Sequence, residues 1–193
     1  MIKTTAMLLE ELRGYASPKT KISRMIEKGE CFRIIRGLYE TDPNVPAYLL
    51  AGSIYGPSYI SFEFALADHG LIPEAVPTVT CASFAKKKKK RFETPFGTFT
   101  YRDVPEEAFP LCVESRREGE YGYRIASPEK ALCDQLYKMS PVQNTKELAA
   151  LLFEDLRTDE SDLRNLDRNV IAALREKYHA ANIRKLYTLL RRL

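Results

Sequence analysis

SPKTKISRMIEKGECFRIIRGLYE, residues 17–40, contains the change of hydrophobic period on which the reading of the chain turns. Ser17-Pro18 reads as an N-cap followed by a proline in the first helical turn. Ile22, Met25 and Ile26 then recur at helical spacing and are expected to turn inward, and Gly29 ends the helix at about Lys28. CFRIIRGLYE follows as a β-rich run that Gly37 interrupts and Tyr39 resumes, the pattern of a hairpin. On the N-terminal side, TAMLLEELR (5–13) places Met7, Leu8, Leu9 and Leu12 at near-helical spacing, with Gly14 as a stop. Helix, tight turn, helix, hairpin makes residues 1–41 a winged helix-turn-helix-like module.

In such a module the helix before the hairpin is the recognition element, with Lys19, Thr20, Lys21, Ser23, Arg24 and Lys28 as its exposed polar positions. Long cations neutralise phosphates and small hydroxyls can approach a groove, so these residue types suit DNA. The competing reading is an ordinary solvated helix face, since Lys and Arg decorate those too.

Working toward the C-terminus, TDPNVPAYLL breaks the pattern with two prolines and reads as a link. PSYISFEFALADHG reads as a helix with Ile60, Phe64, Ala67 and Leu71 on one face. VPTVTCASF alternates like a strand, RFETPFGTFTYRDV reads as two strands around Pro95-Phe96-Gly97, and YGYRIAS supplies another. Ser127-Pro128-Glu129 starts a helix running to about Met139, and Asn144 with Glu147 fits a capping box. The remainder to Leu193 reads as helical, with Leu163, Leu166, Val170, Ala173 and Leu174 as its inner stripe. Strands and helices intermingle without a βαβ rhythm, so the expected fold class is α+β. The expected organisation is the module at 1–41 and an α+β domain at 42–193, helical from about 141.

The hydrophobic share of 45% and charged share of 29% are those of an ordinary globular chain. No apolar run approaches membrane-spanning length, and acidic residues interrupt the N-terminal segment where a signal peptide would continue apolar. A cytoplasmic protein without membrane contact is the expectation. Cys31, Cys81, Cys112 and Cys133 are scattered, and only His69 and His179 could join them at a metal, so buried reduced thiols are expected and no metal or cofactor. His69, beside a helix-ending glycine, reads as a capping or packing residue. The chain lacks G-x-x-x-x-G-K-S/T, G-x-S-x-G and H-E-x-x-H, which points away from catalysis.

The net charge of +4 is modest, but its distribution is not even. Residues 1–41 carry eight Lys/Arg against five Asp/Glu, and Lys86, Lys87, Lys88, Lys89, Lys90 and Arg91 are consecutive cations. That run cannot be buried and belongs on an exposed edge or loop. It fits a phosphate backbone, an acidic protein partner, or solvent alone.

IIRGLYE (34–40), PSYISFEFALADHGLIPEAVPTVT (57–80), FETPFGTFTY (92–101) and YRIASPEKALCDQLY (123–137) resemble segments of the AbiEi-type antitoxins of type IV toxin–antitoxin, or abortive infection, systems. The similarity spans roughly residues 15–140. It implies a winged helix that binds the promoter of its own operon, with that role falling on Lys19, Thr20, Lys21, Arg24 and Lys28 in the helix and Arg33 and Arg36 in the wing. It also implies a C-terminal domain that counteracts a toxin of the nucleotidyltransferase class. Only two helices fit before the wing, one fewer than usual. Winged helices commonly act as dimers, so a homodimer is the corresponding expectation. Two other functions fit the same residues: a transcription factor whose larger domain senses a ligand or assembles oligomers, and a nucleic-acid-processing enzyme using the lysine run as a substrate track.

Overall fold

The computed structural model describes residues 1–193 as a mixed α+β fold with helices toward both ends. Strand β1 (Ile2–Thr4) leads into α1 (Thr5–Glu11) and α2 (Pro18–Glu27), followed by β2 (Phe32–Ile35) and β3 (Leu38–Glu40). The three strands form one antiparallel sheet in the order β1-β3-β2, so a helix pair is inserted between the first strand and a hairpin. Strand β1 is too short to show alternation in the sequence; its partner β3 makes it a strand. The Thr4 hydroxyl caps α1 by accepting from the Met7 amide at 3.2 Å.

Leu8, Ile22, Cys31 and Tyr39 close a small core under these helices, while Ile34 and Leu38 belong to the large core of the molecule. The hairpin therefore serves both cores. Ile22 is buried as expected and Met25 half-buried, but Ile26 stays exposed, because a helix resting on one small sheet buries only a narrow stripe. Four buried side chains make too small a core to order this segment by themselves.

The expected link is packed rather than free. Val45, Leu49 and Leu50 are buried, and a 3₁₀ turn (Ala47–Leu50) runs into α3 (Ala51–Ile54). Then come β4 (Tyr59–Ile60), α4 (Phe62–Asp68), β5 (Val79–Ser83), β6 (Lys90–Thr94), β7 (Gly97–Asp103), β8 (Val113–Glu118) and β9 (Tyr121–Ala126). They form a six-stranded sheet in the order β6-β7-β5-β4-β9-β8, with β5–β7 and β4–β9 parallel and the other pairs antiparallel.

The helix expected from residue 57 onward is shorter than its periodicity suggests. Tyr59 and Ile60 are drawn into the sheet, with Ile60 paired to Cys81 on one side and Ile125 on the other. Helix α4 begins only at Phe62 and buries Phe62, Ala65 and Leu66 in place of the Phe64–Ala67 face. Strand β8, charged in four of its six positions, has no readable alternation and exists by pairing with β9 across the Gly119 turn.

Helix α5 (Pro128–Lys138) packs on α4 and is backed by α6 (Thr145–Ala150), a π-helical turn (Leu151–Asp155), α7 (Glu160–Asn165), α8 (Arg168–Tyr178) and α9 (Ala181–Leu190). Two of the three expected side-chain caps form: the Ser127 hydroxyl accepts from the Lys130 amide at 3.3 Å, and the Asn144 side chain from the Glu147 amide at 2.9 Å, whereas Ser17 makes no cap bond to the backbone of α2 and its hydroxyl meets Thr20 Oγ1 instead. Of the expected inner stripe, Leu163, Leu166 and Leu174 are buried; Ala173 is exposed and Ile171 takes the inward position. The C-terminal helices thus share the one large core. No helix is long and apolar enough to cross a membrane.

Candidate nucleic-acid interface

Helix α2 is amphipathic, with Ile22 inward and its polar residues outward. Lys19, Arg24 and Lys28 are exposed, and Lys21 is half-buried with its ammonium 5.3 Å from the centre of the Tyr15 ring. Thr20, Lys21, Arg24 and Lys28 line, with Tyr15 and Ser17, a concave surface of about 380 Å³. Ser17 Oγ and Thr20 Oγ1 hydrogen-bond to each other at 2.8 Å, and Ser23 donates to the Lys19 carbonyl at 3.3 Å. Four of the residues expected to read DNA are therefore gathered, while Lys19 lies outside the concavity.

Arg33, opposite Tyr39 in the hairpin, and Arg36, beside Gly37 (φ +88°) in its turn, are both exposed. The ion pairs of this segment fall on Met1, Lys3 and Arg13, and none of Lys19, Lys21, Arg24, Lys28, Arg33 and Arg36 has an acidic partner. Unpaired cations on a concave surface raise the local positive potential.

The lysine run occupies the loop before β6 and the start of β6 itself, an edge strand, as an exposed edge or loop requires. It is not a loose loop. Ala85 and Lys87 take positive φ, and the amides of Lys86 and Lys87 converge on Asp103 Oδ2 at 2.7 and 2.6 Å, while Ser83 donates to Oδ1 at 2.7 Å. Successive amides of this kind form an anion-binding nest, here filled by the protein's own carboxylate. Lys86 lies over the Tyr55 ring, Lys87 to Lys90 are exposed, and Arg91 pairs with Glu93 at 3.1 Å. Phe32 of β2 meets Phe96 of the β6–β7 turn edge-on at 6.3 Å, which seats the N-terminal hairpin against the strands that carry the run.

Two polar clusters lay outside the sequence reading. Arg102 of β7 holds Glu63 of α4 with both terminal nitrogens and stacks its guanidinium 3.9 Å from the Phe62 ring centre. Burial works against the Glu63 carboxylate, but the Arg102 hydrogen bonds and charge outweigh it and hold its pKa below the usual range. At the end of α5, burial and then the nearby Arg102 and Lys89, opposed by Asp103, lower the pKa of Lys138.

The second cluster is wholly internal. Lys130 and Asp134, one turn apart on α5, are completely buried and paired at 3.2 Å. Asp134 also accepts from Tyr59 at 3.0 Å, from Ser61 at 2.6 Å and from Tyr178, and Lys130 donates to Tyr178. Burial, and then the Asp134 charge, push both phenols far above the ordinary tyrosine value, so they remain donors. Lys130 and Asp134 stand i, i+4 among apolar positions, a spacing that an exposed helical ion pair shows equally.

Glu129, expected as a helix-start carboxylate, accepts from Ser127 at 2.8 Å and from the Asp167 amide at 3.1 Å. His69 Nε2 lies 2.7 Å from the Ala126 carbonyl, a packing role as expected. Cys31, Cys81 and Cys133 are buried free thiols and Cys112 is a half-buried one. Comparison with protein families and with curated proteins yields no match to this chain.

Proposed function

We propose that the protein is a non-enzymatic, cytoplasmic DNA-binding regulator: the antitoxin and autorepressor of a bacterial toxin–antitoxin operon whose toxin is of the nucleotidyltransferase class. The observation that carries the DNA-binding part is the concave face of α2, where Thr20, Lys21, Arg24 and Lys28 converge without acidic partners. Arg33 and Arg36 on the adjoining hairpin extend the same sign of charge. The antitoxin part rests on the resemblance of the four sequence segments. Each phosphate neutralised by these cations releases counterions, so binding is expected to weaken steeply with salt.

The test is fluorescence anisotropy of the full chain on DNA from immediately upstream of its own gene against scrambled DNA, over a salt series. Tighter binding to the upstream DNA, lost in Lys21→Ala/Arg24→Ala, is the expected result. Equal, weak binding to both DNAs would reduce the α2 face to a generic basic surface. Co-expression with the neighbouring gene product separates antitoxin from plain repressor: an antitoxin restores growth, whereas a repressor binds its operator without rescue.

A further inference from the structure

A groove of about 470 Å³ opens on the main sheet, between the start of α4 and the β6–β7 edge. Its walls include Lys89, Lys90, Arg91 and Arg102 against a single carboxylate, Glu63. Thr80 and Thr100 contribute hydroxyls from the paired strands β5 and β7, and Thr78 one from the residue just before β5. The Thr80 hydroxyl is engaged, donating to the Ser61 carbonyl at 2.6 Å and accepting from the Phe64 amide at 3.0 Å, which leaves Thr78 and Thr100 to the groove.

Three further features set this groove apart from a surface that merely carries lysines. Arg102 Nε is buried without a hydrogen-bond partner, and a guanidinium nitrogen left in that state is costly. Phe62 holds φ +57°, a conformation that costs a bulky residue about 1–3 kcal/mol and persists only where its surroundings impose it. It places Glu63 on Arg102 at the groove wall. Finally, the Asp103 nest fixes the backbone at Lys86 and Lys87, and pairing opposite Tyr101 fixes it again at Lys90, so Lys89 lies between two held points.

We propose that this groove binds a small organic polyphosphate of the nucleoside di- or triphosphate class. Lys89, Lys90 and Arg91 take the phosphates, Thr100 donates its hydroxyl to a phosphate oxygen, and Glu63 is the internal anion that the ligand competes with for Arg102. Cations and hydroxyls on one side of a concavity match a chain of phosphate oxygens. The volume falls in the range of roughly 300–1,000 Å³ typical of small-ligand sites, with room for more than phosphate. The lining offers no free aromatic ring on which successive bases would stack, since Tyr101 is buried and donates to the Ala51 carbonyl, which favours a small phosphate ligand over a single-stranded nucleic acid. This site does not depend on the α2 face, so either can fail alone.

Titration calorimetry of the full chain with adenosine triphosphate, beside a single-stranded thymidine oligonucleotide, tests the proposal. Saturable one-to-one binding of the triphosphate is expected, weakened at least about tenfold by Lys89→Ala/Lys90→Ala. Thr100→Val, which changes no charge, is expected to weaken it about three- to tenfold. Glu63→Gln, which removes the competing anion, should tighten it. Absence of saturable triphosphate binding, or binding indifferent to Thr100→Val, overturns the site, the latter because the lysines would then be acting as a generic cation cloud. Binding of the oligonucleotide through the same lysines without triphosphate binding also overturns it, in favour of a nucleic-acid track.

Discussion

Asp134 is the residue on which most of the internal polar chemistry converges. Its carboxylate balances a completely buried ammonium and accepts from three hydroxyls drawn from β4, the residue after it and α8. Such a pair is weak evidence for net stabilisation, since replacing both partners by apolar residues can be neutral, but removing one leaves an uncompensated charge. Asp134→Ala is therefore expected to cost roughly 3–5 kcal/mol, read as a lower urea midpoint at unchanged slope. A loss under about 1 kcal/mol would mean that water reaches Lys130 and the site is not dry. The same cluster fixes the entry to α4 through Ser61, one residue before the strained Phe62.

At the level of elements, the β5–β6 connection shows how a run of like charges is held in place. Lysines repel one another and gain nothing from burial, so their own side chains would leave this connection mobile. The order comes from the backbone: Asp103, at the end of β7, receives two amides of the run and the Ser83 hydroxyl. Asp103→Ala should abolish hydrogen-exchange protection at Lys86 and Lys87 while leaving the β5–β7 ladder protected, with a stability loss of about 1.5–3 kcal/mol for hydrogen bonds to a charged group. Unchanged exchange at those two amides would show that the connection is ordered by packing, for instance of Lys86 on Tyr55.

Over the whole molecule, the N-terminal segment is tied to the rest by more than a linker. Ile34 and Leu38 enter the large core, Phe32 meets Phe96, and the connection carries buried Val45, Leu49 and Leu50. Its own core of Leu8, Ile22, Cys31 and Tyr39 is too small to order it alone. An isolated peptide of residues 1–41 is therefore expected to show little helix by circular dichroism, while the full chain unfolds in one transition. A stably helical peptide would mark residues 1–41 as an autonomous domain.

Much of the local structure was legible in the residues: the Ser127 and Asn144 caps, the inward Ile22, the β6–β7 hairpin around Pro95 to Gly97 and the exposed lysine run follow from short-range rules of capping, periodicity and solvation. Those rules act over a few neighbouring residues, so one chain displays them. Strands β1, β4 and β8 did not show themselves, because each owes its conformation to a partner strand rather than to its own pattern, and Ile60 lies between residues far away in sequence. The Lys130–Asp134 pair and the Glu63–Arg102 groove were hidden for the same reason: a charge is made tolerable or useful by what tertiary packing sets against it, and that is decided only when α4, α5, α8 and the sheet have come together.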